Sequence, residues 1–468
     1  MPDSKPKVCI VSPFCYPLFN PNVAGAHFGG WEVRTYAIAT GLARRGNFDV
    51  SMVVWDHGQP PVERYAGVTL YAWLGKPNPH RDPEPPAPSA PNALTTPLVV
   101  NLAPTQGAAP SLDAWLAAHT ASRRQWLGRA VHNGTSGALS AITVGFQNAA
   151  ANLRENWRRT RWLVFETFDF IGEYIVEKKN IAIFDAVNAD IYMSPGNNFT
   201  AAELACYCRA RGKRYALLAG SDIDYDPAFA ADYGKMGLYG VPNYLRAYAI
   251  RYATTHLVQN ANQAALLKNV YGRDSTQVRN PIDLALAFPR NPAAQTILWV
   301  GSSDDRVRRP SRMLDLAERL PEYQFVMVMV PLIAETDRAC WARARALPNV
   351  TMFGRTPFAE IERFFADAKL FVNTSVFEGF PNTFLQAAKY GVPIVTLKVD
   401  PGEMLSQHGC GIASGDDLER LSETVRRMMT DAELYARASA ACQRYVRAYH
   451  DQERIIPQYE QVFNRLLA

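Results

Sequence analysis

The sequence predicts an α/β protein made of two doubly wound parallel-sheet domains that face each other across a cleft. Two observations carry that expectation. Short apolar runs alternate with helix-length amphipathic segments at both ends of the 468-residue chain, the order that places parallel strands between layers of helices. The alternation also stops near residue 283 and restarts at residue 296, and a chain of this length holds two or three domains.

The first strand, Val8-Cys9-Ile10-Val11, leads through a loop rich in Pro, Asn and Gly to Gly29-Gly30. A helix is predicted over residues 32–45, with Val33, Tyr36, Ala37, Ala39, Leu42 and Ala43 on its apolar face. Gly46 ends it, and residues 50–54 resume the sheet. Further strands are predicted at 189–193, 215–219 and 255–259. Residues 75–110 break the rhythm: their Pro, Ala and Asn content, including Pro83-Glu84-Pro85-Pro86-Ala87-Pro88, points to a long extended loop or insertion. Residues 112–179 read as largely helical and carry a basic aromatic patch at Arg154, Trp157, Arg158, Arg159, Arg161 and Trp162. Two readings of the patch stand: a solvated helix face with its tryptophans packed inward, or contact with an anionic acceptor or membrane surface.

The second set has strands at 296–301, 325–329, 350–353, 370–373 and 391–395, with a helix around 313–320. Residues 284–294 are the expected inter-domain linker. The amphipathic stretch 455–467 could pack across both domains. The expected division is therefore a Rossmann-like domain over 1–284 with an insertion around 75–180, a second Rossmann-like domain over 285–450, and a C-terminal helix over 451–468 that returns toward the first domain.

Composition narrows the function. Hydrophobic residues at 48% and charged residues at 20% describe a globular protein, and a net charge of +5 is too small to argue for nucleic acid. Seven cysteines form no metal or redox spacing, and Cys206-x-Cys208 is one residue too close for such a pair. Reduced thiols and a cytoplasmic location follow, with the inner membrane face as a peripheral alternative. No apolar run is long enough to span a bilayer. No tight His, Cys or Asp cluster suggests a metal. A dinucleotide-dependent oxidoreductase is disfavoured because Val11 is followed by Ser12-Pro13-Phe14-Cys15, with no G-x-G-x-x-G.

The most informative stretch is Phe377-Glu378-Gly379-Phe380-Pro381-Asn382-Thr383, set between an apolar strand and a helix. Pro381 and Asn382 open that helix, where proline is tolerated. The unpartnered N–H groups of Phe380, Asn382 and Thr383, together with the positive dipole end, make a site for a phosphate-sized anion; the Pro381 nitrogen cannot contribute. Gln386 falls two turns beyond Glu378 on a similar face. Gly29 and Gly30 either let backbone approach a diphosphate closely or form a simple turn before a helix. Arg306, Arg308 and Arg309 form either a grip for phosphate oxygens or a solvated run.

Taken in order, Phe28-Gly29-Gly30-Trp31, Asn280-Pro281-Ile282-Asp283, Trp299-Val300-Gly301 with its basic loop, and Glu378-Gly379-Phe380-Pro381-Asn382 resemble glycosyltransferase family 4. The resemblance covers roughly residues 5–70 and 185–468. It implies two Rossmann-like domains in the GT-B arrangement. The implied activity is a retaining hexosyltransferase that moves sugar from a nucleotide diphosphate sugar to a hydroxyl of a glycan, lipid-linked or small-molecule acceptor, as in polysaccharide biosynthesis, with no metal required. By the same resemblance Glu378 contacts donor sugar hydroxyls, and Gly29, Gly30, Arg308 and residues 379–383 hold the diphosphate. Three departures accompany it. Ser302 stands where relatives carry the first clamp cation, leaving Arg306 as its substitute. Gln386 replaces an acid that would accept from both ribose hydroxyls, a loss of about 1–2 kcal/mol. At the end of the strand at 215–219, Asp222 stands near where many relatives place a histidine; either Asp222, or Asp224 beyond it, orients the acceptor or steadies positive charge at the anomeric carbon, or Asp222 caps its own loop. These departures keep open a second function, a catalytically weak or silent relative that binds a ligand or partner.

Overall fold

The computed structural model describes residues 5–20, 22–23, 29–77, 178–232, 235–237, 240–285 and 287–468. Phe28, the basic aromatic patch and nearly all of the 75–180 insertion fall outside the described residues. The rest forms two α/β lobes, each around its own sheet, as the alternating pattern predicts.

The N-terminal sheet contains β1 (Lys7–Val11), β2 (Asp49–Asp56), β3 (Val62–Tyr65), β4 (Val68–Pro77), β5 (Ile191–Pro195), β6 (Arg214–Leu218), β7 (Thr255–Val258) and β8 (Thr276–Gln277). Its order is β3-β4-β2-β1-β5-β6-β7-β8, parallel except for the β3–β4 hairpin, which turns through Ala66 and Gly67, both with positive φ. That hairpin begins the stretch where the sequence rhythm fades, and the sequence reading does not find it. The C-terminal sheet contains β9 (Thr296–Ser302), β10 (Phe325–Val330), β11 (Val350–Phe353), β12 (Ala368–Asn373), β13 (Ile394–Thr396) and β14 (Gly411–Ala413), all parallel in the order β11-β10-β9-β12-β13-β14. Leu298 of β9 sits in register with Val326 of β10 on one side and Phe371 of β12 on the other. Strand order reverses between β1 and β5 in one lobe and between β9 and β12 in the other. A doubly wound sheet opens a crevice at that point, outside the carboxyl ends of its strands.

Helix α1 (Gly30–Arg45) begins at Gly29, whose N–H donates to the Glu32 carboxylate at 2.7 Å, and ends at Gly46 in the left-handed region, whose N–H closes on Leu42 O at 3.1 Å. Helix α5 (Gln452–Leu467) lays Ile455, Ile456, Tyr459, Val462 and Phe463 into the N-terminal core beside Ile38 and Leu42. Each such buried side chain stabilises by about 1.5–3 kcal/mol. Gly41 makes the crossing possible, because a Cβ there would lie 2.6 Å from Ile456. The buried guanidinium of Arg34 ties the same elements together, donating to Ala219 O (2.7 Å), Val278 O (3.2 Å) and Tyr459 Oη (3.1 Å).

The chain passes between lobes twice, and the two crossings lie side by side. Ile282 N donates to His450 O at 2.8 Å and Gln452 N to Ile282 O at 3.1 Å. The expected linker at 284–294 lies just beyond the first crossing and belongs to the C-terminal lobe. Leu284 and Phe288 pack on its core, and Asn291 bonds to Ala366 O. Two apolar side chains in that span give the chain a surface to settle on, which is why it does not hang free.

Two buried histidines give the fold a pH dependence. Burial pushes the pKa of His256, and likewise of His450, down to about 3. Both are neutral in the folded chain, whereas the unfolded chain takes up a proton at each below about pH 6.5. The unfolded state therefore binds more protons between pH 6.5 and 3, so stability is full above that window and falls as the pH drops through it. The expected loss is about 2 kcal/mol per ring at pH 5. Urea midpoints measured from pH 7.5 to 4.5 should decline, and a His256→Gln, His450→Gln variant should lose most of the slope. An equal slope in that variant places the acid sensitivity elsewhere.

Candidate functional site

The loops after β9 and β12 meet at the reversal point of the C-terminal sheet. Asp304 shapes the first: its carbonyl accepts from the N–H groups of Val307, Arg308 and Arg309, the last in the left-handed region. Val376 N donates to Val307 O at 2.9 Å and zips the two loops together. Arg309 braces them, its guanidinium donating to Thr374 O (2.8 Å) and Asp416 (2.7 Å).

These constraints set Arg308 against Glu378 as an ion pair, with Ser375 Oγ donating to the same carboxylate oxygen at 2.9 Å. The Glu378 side chain is 8% exposed and that of Arg308 36%, so the acid lies in the floor and the cation at the mouth. Arg306, the expected substitute for the missing clamp cation, gives its fork to Asp304, with both contacts at 2.9 Å. Those hydrogen bonds hold the Asp304 carboxyl below the usual range.

Helix α4 (Asn382–Lys389) starts at Pro381, and among the described residues no acceptor meets the N–H groups of Phe380, Asn382 and Thr383. Three unspent donors and a helix dipole thus sit next to Glu378 and Arg308. Gly379 explains how the other lobe comes so close. A Cβ there would lie 2.5 Å from Gly220 O and 3.1 Å from Ser221 Cα, so the lobes touch backbone to backbone.

The N-terminal half is built by α1 and the ends of β5 and β6. Asn382 Nδ2 donates to Gly30 O at 2.5 Å, which brings one of the two glycines onto the anion turn. Trp31 lies over two other glycines: a Cβ on Gly220 would be 2.2 Å from its Nε1, and one on Gly196 2.5 Å from its Cη2. Burial raises the Glu32 carboxyl, against the Gly29 N–H bond that favours its charged form. The loop after β6 is organised by Asp224. Its carboxylate accepts from the N–H groups of Asn197 (2.9 Å), Gly220 (2.6 Å) and Ser221 (3.0 Å), while burial raises its pKa. Asp222 accepts from Asn262 at 2.7 Å and Asn260 at 3.5 Å, at the start of helix α2 (Ala261–Tyr271). Those bonds run to side chains of another element and not to the backbone of its own loop.

A crevice of about 510 Å³ lies between the lobes alongside α1 and α4; it reaches Asn382, but Glu378, Arg308 and Gly30 do not line it. Val33, Tyr36 and Thr40 of α1 form one wall; Phe358 and Glu362 of helix α3 (Phe358–Ala366), with Asn382 and Gln386 of α4, form the other. Gln386 is 5% exposed and its amide makes no hydrogen bond to a described residue. Glu362 is neutralised by Lys389 (2.8 and 2.9 Å) and accepts from Tyr390 Oη at 2.9 Å. No group of His, Cys, Asp and Glu among the described residues could hold a metal ion. No helix among them is long and apolar enough to cross a membrane.

Residues 294–431, from just before β9 through β14 and the helix after it, match the family model described as Glycosyl transferases group 1. The fold is GT-B. Sucrose-phosphate synthase from Thermosynechococcus elongatus superposes with a TM-score of 0.63 at 14% identity, covering 99% of both chains. HepE from Anabaena, solved in complex with UDP and glucose, gives 0.56 at 12%, covering 98% of this chain and 99% of that one. A glycosyltransferase from Rickettsia africae gives 0.55 at 10%, covering 99% of both. No curated protein matches the chain by sequence.

Sequence reasoning names Glu378, Arg308, Gly30 and the anion turn, and the structure brings those together. It misses Trp31 and the side chain of Asn280, and it names Asp224 only as the alternative to Asp222, where the structure gives it the backbone N–H groups of the loop after β6. The only signal for Trp31 is its place directly after two glycines, and its glycine partners are 165 and 189 positions away along the chain (196 − 31 and 220 − 31).

Proposed function

We propose that the chain is a retaining glycosyltransferase that moves a sugar from a nucleoside diphosphate sugar to an acceptor hydroxyl in glycan or polysaccharide synthesis. The observation that carries this is the Arg308–Glu378 pair beside three unspent backbone N–H groups, facing Gly30 across the lobes. A diphosphate placed there accepts from Phe380, Asn382 and Thr383, and Gly29 and Gly30 leave it room. Arg308 turns from Glu378 to the leaving phosphate as its charge grows, and the released carboxylate takes donor sugar hydroxyls. Because that charge is met by a guanidinium and main-chain amides, the proposed transfer calls for no metal. Gln386, one turn along α4 from Asn382, supplies one amide to the ribose. HepE, of the same fold, binds UDP and glucose, which supports a sugar nucleotide here. Asp222 acts as a positioning residue of the acceptor rim. The acceptor is a glycan, a lipid-linked sugar or a small alcohol, and any peripheral membrane contact would fall to the basic aromatic patch at residues 154–162, which lies outside the described residues.

Incubation with a panel of nucleotide sugars and simple glycoside acceptors is expected to release nucleoside diphosphate, unaffected by EDTA, with the anomeric configuration kept in the product. A second reading has its own support: Arg306 is spent on Asp304, and Gln386 offers an amide where an acid is expected. A protein that binds a diphosphate yet turns over no donor in the panel is the weak or silent binder.

A further inference from the structure

We propose that Asn280 is a positioning residue for the anion turn, and that His450 holds it there. Asn280 lies at the first crossing between the lobes and is 2% exposed. Its Nδ2 donates to Phe380 O at 3.1 Å and to Asn382 Oδ1 at 3.3 Å. Both of its side-chain bonds therefore end on the turn whose N–H groups form the site. The amide has one workable orientation, since a flip would set its oxygen against two other oxygens.

His450, at the second crossing, fixes Asn280 from behind. It is fully buried, its Nδ1–H donates to Asn280 O at 2.8 Å, and its ring faces Phe380 with centroids 4.6 Å apart. Asn382 in turn donates to Gly30 O. A single file of hydrogen bonds thus runs from His450 through Asn280 and Asn382 to the first carbonyl of α1. It joins both crossings, the anion turn and the opposite lobe. A lobe cannot swing about the crossings without pulling on the turn, so anion capture and lobe movement are one event. This assignment rests on the anion turn being the ligand site, and the test separates the two claims.

Full-length wild type, Asn280→Ala and Asn382→Leu are compared by amide hydrogen exchange over residues 379–390 and by calorimetry with uridine, guanosine and adenosine diphosphates. Expected for Asn280→Ala is exchange in that segment faster by roughly tenfold, with the remaining C-terminal lobe unchanged. Affinity for whichever diphosphate binds wild type should fall roughly tenfold, with the melting temperature nearly kept. The Asn280→Ala, Asn382→Leu double variant should lose little beyond either single change, because both break the same file. Unchanged exchange in Asn280→Ala, or losses that simply add, overturns the proposal. Should Asn280→Ala not fold, the half-exposed Asn382→Leu carries the test through the same exchange readout. Faster exchange in a protein whose wild type binds no diphosphate leaves the positioning role standing and removes the donor-site reading.

Discussion

Glu378→Gln is expected to reduce sugar transfer by roughly 100-fold or more while leaving nucleoside diphosphate binding equal or tighter. The opposite signs follow from the ion pair. Arg308 is neutralised by Glu378, so a diphosphate must draw the guanidinium away from a carboxylate that is almost fully buried. Glutamine keeps the shape and the acceptor for Ser375, but releases Arg308 to the ligand. What it cannot do is accept donor sugar hydroxyls at two charged oxygens. Calorimetry with the diphosphate and initial rates with the matching donor decide the matter. Parallel losses in both would assign Glu378 to loop structure alone.

Gly379→Ala is the second large effect, and it acts through closure. Gly379 has no positive φ, so an added methyl strains nothing within its own backbone. The methyl would instead meet Gly220 O at 2.5 Å and Ser221 Cα at 3.1 Å, both main-chain atoms of the other lobe, behind which Trp31 is already packed. Neither atom can rotate aside. The lobes must part, which admits water and draws Gly30 off the anion turn. Turnover should fall by roughly tenfold or more, diphosphate affinity should fall with it because anion capture and lobe closure are coupled, and small-angle scattering should record a larger radius for the liganded variant. A wild-type rate in Gly379→Ala means that this contact is not made during catalysis.

Legibility in the sequence divided along a physical line. The strands with uninterrupted apolar runs, such as residues 8–11 and 370–373, were readable because a strand buried on both faces needs apolar residues in succession. The β3–β4 hairpin was not, since an edge hairpin with alternating burial carries a weak signal next to a Pro-rich stretch. The linker was misplaced by a few residues because Leu284 and Phe288 gave no sign of which lobe would bury them. The basic loop told of cations near the site. Which arginine serves it was settled by partners: Asp304 lies two residues from Arg306 and takes it, leaving Arg308 for Glu378.

By itself the chain determined the two α/β rhythms, the helix opened at Pro381 and Asn382, and a lone acid directly ahead of it. Those features depend on neighbours within a few residues, where periodicity and turn chemistry act. Only the tertiary structure decided that Glu378 pairs with Arg308, that Trp31 rests on Gly196 and Gly220, and that Asn280 and His450 hold the anion turn. Each of the last two sets joins residues 70 to 189 positions apart, and such meetings are fixed by how sheets and helices stack, a quantity no short window of sequence contains.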